Sequence, residues 1–155
     1  MRDIIFSANG ARMAVSSYIG TWLYDTYTGT EVALIRSKGE TTGSIAVSSD
    51  GSTLAMGSFR TVQVWDAASG QLKILDGHTD WVRSVALSPD GATLASSSGS
   101  SMILLWDTAS GQLKTTLDGH GAMVFSPDGA VLVRGTRGCV RCFADDSGQH
   151  KTAHE

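Results

Sequence analysis

Apolar positions along this chain come in short runs, each stopped by a glycine-containing turn, and the same order of runs and turns returns down its length. The fullest copy is the stretch 77–111, GHTDWVRSVALSPDGATLASSSGSSMILLWDTASG. It holds a Gly-His pair, an apolar run, a Pro-Asp-Gly turn and a second run. A third run then ends in Trp-Asp and passes into a Ser-Gly turn. Runs this short, without a 3.6-residue period, predict strands and almost no helix. The Asn/Asp-Gly turn recurs at Gly10, Gly51, Gly91 and Gly129, at intervals of 41, 40 and 38. The aromatic closing the third run recurs as Tyr24, Trp65, Trp106 and Phe143, at intervals of 41, 41 and 37. A fixed period near 40 marks a repeat architecture in which each unit is one supersecondary block.

The first unit is expected to place strands near 4–6, 13–17, 21–25 and 31–35. The second has them near 44–48, 53–58, 61–66 and 71–75, and the third near 82–88, 93–98, 102–107 and 112–117. Asn-Gly and Asp-Gly suit the hairpin turns because glycine takes positive φ without a steric penalty. The inner strands of the third unit are almost continuously apolar, which fits strands covered on both faces. The fourth unit is damaged. His78 to Ser88 spans ten positions, but His120 to Ser126 spans only six, so the approach to its first strand is four residues short. Its third run ends in Phe143-Ala144 instead of Trp-Asp. Its last segment, 149–155, is polar almost throughout and is expected to be frayed or absent.

Trp65-Asp66, Trp106-Asp107, Gly77-His78 and Gly119-His120, at this period, resemble WD40 repeats over most of the chain. The wording SPDG, LASSS and LLWDTASGQL is similar to the near-consensus arrays of fungal NACHT-type signalling proteins. The resemblance implies an all-β fold of β-propeller blades. These are three complete four-stranded antiparallel blades plus a partial fourth, in an incomplete or open propeller. The blades span approximately 3–36, 43–76, 81–118 and 122–152. It also implies a hydrogen-bonded group of His, Ser/Thr, Trp and Asp inside a blade. His78, Ser96 and Trp106 match three members, while the Asp position falls near Ser100 and is missing. The second unit has Glu40 after Gly39 where the family has His. Asp66 and Asp107, each following its tryptophan (Trp65, Trp106), are expected to organise the turn after the third strand. All six residues are read as structural.

Composition narrows the functional classes. The chain has 155 residues, is 41% hydrophobic and 17% charged, and carries 18 glycines, which fits one ordered domain. A net charge of −3 offers no basic face for nucleic acid and no attraction to an anionic membrane. Two cysteines make no disulfide framework. The apolar start of the chain is too short for a signal peptide, and no window approaches a membrane span. The expected compartment is cytoplasmic. Cys139-x2-Cys142-x7-His150-x3-His154 has pairs at zinc-ligand spacing. Seven residues between the pairs are fewer than a zinc finger uses, however. Both cysteines also fall on one strand, where positions three apart point to opposite faces. Ordinary strand cysteines are the better reading, with no metal and no cofactor.

Serines fall at repeated positions, and no G-x-S-x-G, His-Glu-x-x-His or phosphate-binding glycine loop occurs, so no enzyme activity is expected. Propellers commonly bind partners on the face built by the loops that lead into the first strand and join the second to the third. Here those loops carry Trp81, Arg83, Phe59 and Arg60, and Trp and Arg are among the side chains most often found as binding hot spots. The alternatives are that Trp81 packs between blades and that Arg83 is merely solvated, and for Arg83, Phe59 and Arg60 a role without binding is the better reading. The expected function is a non-catalytic scaffold for protein–protein interaction, part of a larger array or ring. The alternative is a truncated or decayed fragment without a binding role of its own. Because neither end looks polar enough to cap the array, self-association of two copies into a ring is a further expectation. Closure of four blades on themselves is the least favoured.

Overall fold

The computed structural model describes residues 3–36, 43–136, 139–144 and 149–153. Gly39, Glu40 and His154 lie outside the described residues. Fifteen strands and no helix are found among the described residues. Strands β1 (Asp3–Phe6), β2 (Arg12–Ser16), β3 (Thr21–Asp25) and β4 (Glu31–Ile35) pair in sequence order as one antiparallel sheet. The second unit is built of β5 (Ile45–Val47), β6 (Thr53–Gly57), β7 (Phe59–Asp66) and the first part of β8 (Leu72–Leu87). The rest of β8 begins the third unit, followed by β9 (Thr93–Ser98), β10 (Met102–Asp107) and β11 (Leu113–Asp118). The fourth comprises β12 (Ala122–Phe125), β13 (Val131–Thr136), β14 (Cys139–Ala144) and β15 (Gln149–Ala153).

Two findings differ from the sequence reading. The strands expected near 71–75 and 82–88 are one continuous strand, which joins two units into a seven-stranded sheet. The link stays extended because Phe59 pairs across the ladder with Trp81. The polar tail expected to fray is a paired strand, with Gln149 opposite Ala144 and Ala153 opposite Val140. Ladder hydrogen bonds use the backbone, so an outermost strand needs no apolar side chains to pair.

The four units stack as blades, and each of the three contacts between neighbours is one apolar cluster. Ala14, Leu23 and Ile35 of the first blade meet Ile45, Leu54 and Met56 of the second. Val62, Val64 and Leu75 of the second meet Val85, Leu94, Leu104 and Trp106 of the third. Ala86, Ala95, Ile103 and Leu105 of the third meet Met123, Leu132 and Phe143 of the fourth. The run Ile103-Leu104-Leu105-Trp106 is apolar at every position for this reason. Successive side chains point to opposite faces, and both faces are covered by a neighbouring blade. No core cluster joins the first blade to the fourth among the described residues, so the array is an open arc.

One turn is built four times. The Ser7 hydroxyl donates to Asn9 Oδ1, and Ser48, Ser88 and Ser126 donate likewise to Asp50, Asp90 and Asp128. Each serine oxygen also accepts the backbone N–H five residues on, at 2.9–3.0 Å. The glycines that follow, at 10, 51, 91 and 129, take φ between +71° and +75°. The serine hydroxyl is the chief reason the carboxyls of Asp50, Asp90 and Asp128 ionise below the usual aspartate range.

Candidate protein-interaction face

The candidate face begins at the β6–β7 turn. Ser58 N–H donates to Thr61 O at 3.0 Å, so Phe59 and Arg60 are the two residues of a tight turn. Arg60 takes φ +65°, a left-handed conformation that is unusual for a residue with a side chain. Val82 N–H reaches back to Ser58 O at 3.0 Å, which ties the third blade to this turn. The Phe59 and Trp81 rings consequently meet with centroids 5.3 Å apart and planes tilted by 54°. That is within the favourable range for an aromatic pair. Each of the two side chains remains 38% exposed. Trp81 is not sunk between the blades. It straddles the second and third at their surface edge, with its backbone N–H donating to Asp80 Oδ1 at 2.7 Å.

The other two predicted residues flank the ring pair, Arg60 next to Phe59 and Arg83 two residues beyond Trp81. Arg60, with Phe59, Asp76 and Thr79, lines an open hollow above Gly77 and His78. Arg83 is exposed and lines a second hollow of about 490 Å³ with Asp3, Ser44 and Trp81. Arg83 and Asp80 both lie over Gly99, where an added Cβ would meet Asp80 Oδ2 at 2.3 Å. The sequence reading did not single out Tyr18 and Ile19. They occupy the β2–β3 turn closed by Ser17 and Gly20, in the same repeat position as Phe59 and Arg60. Both are exposed, at 67% and 60%. A shift of 41 positions from Phe59 and Arg60 would have found them.

Beneath this edge the third blade holds a buried polar group. Trp106 Nε1–H donates to Ser96 Oγ at 2.9 Å, and Ser96 Oγ lies 2.7 Å from His78 Nε2. All three residues are at most 3% exposed. Burial pushes the His78 pKa below its ordinary value, so the ring is neutral near pH 7. His78 Nδ1 is buried and has no partner among the described residues. At the repeat position for an acceptor, Ser100 instead meets the Ser98 hydroxyl at 2.6 Å. Gly77 lies flat against the indole, and a Cβ there would come within 2.9 Å of Trp106. The group anchors the middle of β8, three residues before Trp81. Asp66 and Asp107 sit in the turns after β7 and β10. Each accepts the backbone N–H and hydroxyl of the serine three residues on, Ser69 and Ser110. Trp65 is partly buried against the contact between the first and second blades.

The fourth blade replaces this group. Arg134 stands where the third blade has Ser96, and Phe143 where it has Trp106. The Arg134 side chain is 7% exposed and donates through Nη1 to His120 O at 3.2 Å, while the His120 ring is exposed. Cys139 and Cys142 share β14 as the register requires, and Cys142 is a free, partly exposed thiol.

Residues 69–107 match the family model described as WD domain, G-beta repeat. A WD repeat-containing protein of Synechocystis is 40% identical over 100 residues, 61% of this chain and 29% of that protein. A WD repeat-containing protein of Schistosoma mansoni is 36% identical over 102 residues, 64% of this chain and 34% of that protein. The chain therefore spans about a third of the length of these two relatives. The crystal structure of the RRP9 WD40 repeats superposes with a TM-score of 0.80 at 21% identity, covering 97% of this chain and 50% of that one. A chain of the mitotic checkpoint complex gives a TM-score of 0.80 at 22% identity, with coverage of 97% and 48%. The family model and the relatives support the WD40 repeat family, and the fold is that of WD40 propeller blades.

Proposed function

We propose that this run of WD40 blades is a non-catalytic scaffold that recognises another protein, as part of a larger ring. WD40 repeat proteins generally act as interaction scaffolds, which sets the class of function. The single observation that carries the reading is the Phe59–Trp81 pair. Two large aromatic side chains are packed on each other, straddle two blades and keep more than a third of their surface open. Tyr18 and Ile19 extend the apolar surface onto the equivalent turn of the first blade. Rigid aromatic anchors with arginines close by are the usual make-up of an interface centre. Ladder pairing, the His78 group and the tight turn hold the pair in place, so little conformational freedom is lost on binding. The repeated serines, meanwhile, are engaged in turn and blade hydrogen bonds.

The test is affinity capture with the wild-type chain beside Trp81→Ala and Phe59→Ala. Binding through this face predicts that partners captured by the wild type are lost from both variants, while strand content and unfolding midpoint are kept. Retention of every partner by two folded variants would show the face is wrong. It would leave the reading that these blades are a structural fragment with no binding role of their own.

A further inference from the structure

The starts of three successive blades open onto one polar hollow of about 600 Å³. Ser44 of the second blade, Arg83 and Ser84 of the third, and His120 and Gly121 of the fourth line it. Its hydroxyls are set by the contacts between blades. Ser44 Oγ accepts the Val85 N–H and Ser84 Oγ accepts the Met123 N–H, each at 3.2 Å. A hydroxyl that accepts one hydrogen bond still has its own proton to give, and neither serine gives it to another of the described residues. Arg83 supplies the charge. It is exposed and has no ion pair or hydrogen bond among the described residues. His120 Nδ1 lies 3.4 Å from Ser101 Oγ, and with Ser101 as the donor the ring proton sits on Nε2. The buried Arg134 guanidinium holds the carbonyl of the same histidine at 3.2 Å, which fixes this segment and adds a cation beside the lining. Two carboxylates stand close by, but each accepts a backbone N–H, Asp80 that of Trp81 and Asp3 that of Ile4. Neither lines the hollow.

We propose that this hollow is an anion subsite, which takes the carboxylate of an aspartate or glutamate side chain of the protein docked on Phe59 and Trp81. The inference rests on the binding reading above and deepens it. Hydrogen-bond donors gathered around a guanidinium without a counter-ion are complementary to an anion. Charge selects the kind of anion. A single exposed guanidinium balances one negative charge, whereas a dianion would also be held against Asp3 and Asp80. A carboxylate matches the guanidinium fork with two parallel hydrogen bonds. Position selects its source. Arg83 and Ser44 also line the neighbouring hollow that contains Trp81, so the subsite is continuous with the aromatic anchor. Every group assigned to it lies on the second, third or fourth blade, and the argument uses no blade before or after them.

The probe is blocked glutamate, N-acetylglutamate amide, titrated into the isotope-labelled chain and followed by NMR. Blocked glutamine is the neutral control. Saturable shifts are expected at the Ser44, Arg83, Ser84 and Gly121 amides with the glutamate probe alone. Arg83→Gln keeps a polar side chain at an exposed position and should abolish them. Trp81→Ala should preserve them, because Trp81 lies outside the lining. No shifts, equal shifts with the neutral probe, or shifts that survive Arg83→Gln would overturn the proposal. Tighter binding of inorganic phosphate at the same amides would overturn it too, by marking a site for a free phosphate. For partners captured by the wild-type chain, Arg83→Gln should raise Kd by about 10–100-fold. Partners lost from Trp81→Ala but held with unchanged affinity by Arg83→Gln would sink the carboxylate subsite and leave the docking face standing. Partners retained by both Trp81→Ala and Phe59→Ala would instead sink the face itself, and with it the assignment of the hollow to a docked partner.

Discussion

Replacing Ser96 by alanine removes one oxygen and strands two nitrogens. The Ser96 hydroxyl accepts from Trp106 Nε1 at 2.9 Å and contacts His78 Nε2 at 2.7 Å. Ser96 is 0% exposed and its two partners are 3% exposed, so water cannot take its place. Each stranded buried group costs about 1–3 kcal/mol, which puts Ser96→Ala at roughly 2–6 kcal/mol. With urea m-values of about 1–3 kcal/mol/M, the midpoint should fall by on the order of 1–2 M at unchanged m. The cause can be isolated with Trp106→Phe, which removes the N–H and mimics Phe143 of the fourth blade. In the double variant the indole donor is no longer stranded. Its cost should therefore be less than the sum of the single costs by about 1 kcal/mol or more. Additive costs, or a loss under about 0.5 kcal/mol for Ser96→Ala, would refute the claim that this hydroxyl serves two buried nitrogens.

Three further perturbations test separate parts of the account. Gly77→Ala drives a methyl to 2.9 Å from the Trp106 ring and 3.1 Å from Leu104. It should cost about 1–3 kcal/mol, read from the urea midpoint, and a neutral result would contradict the packing. Burial holds the folded His78 ring neutral to lower pH than the unfolded ring, which takes a proton below its ordinary pKa of 6.5. Below pH 6.5 the unfolded state thus binds more protons, and stability should fall by up to about 1.4 kcal/mol per pH unit. Midpoints measured between pH 7.5 and 5.5 should show this slope, and His78→Gln should flatten it. Arg60 holds φ +65°, so Arg60→Gly should leave the fold intact and raise stability by about 0.5–1 kcal/mol. A lower melting temperature would mean the side chain has a packing role that outweighs the relieved backbone.

The period near 40 made the blade order legible because each blade repeats one set of turn residues. The Ser-x-Asp/Asn-Gly turns have the same hydrogen bonds at all four places, and a glycine at positive φ can be read directly from sequence. The grouping of His78, Ser96 and Trp106 came from a family resemblance, not from spacing. Three features were harder to see. Continuity of β8 depends on a ladder pair between Phe59 and Trp81, residues that are distant in sequence. The pairing of β15 depends on backbone groups, to which a hydropathy pattern is blind. Arg134 was readable, since a shift of 38 places it on Ser96, but a charged residue at a core position is not expected without a partner. The structure shows how it is accommodated. Its guanidinium lies against Gly119, where a Cβ would meet Nη1 at 2.2 Å, and it donates to the His120 carbonyl.

The central claim is that partners dock on the edge built around Phe59 and Trp81. The most direct measurement is backbone hydrogen exchange of the chain, free and bound to a captured partner. Docking there predicts slowed exchange in the Ser58–Thr61 turn and through Thr79–Arg83, with the Ser17–Gly20 turn following if the apolar surface extends to the first blade. Protection confined to the opposite edge, at the Asp50-Gly51 and Asp90-Gly91 turns, would contradict it.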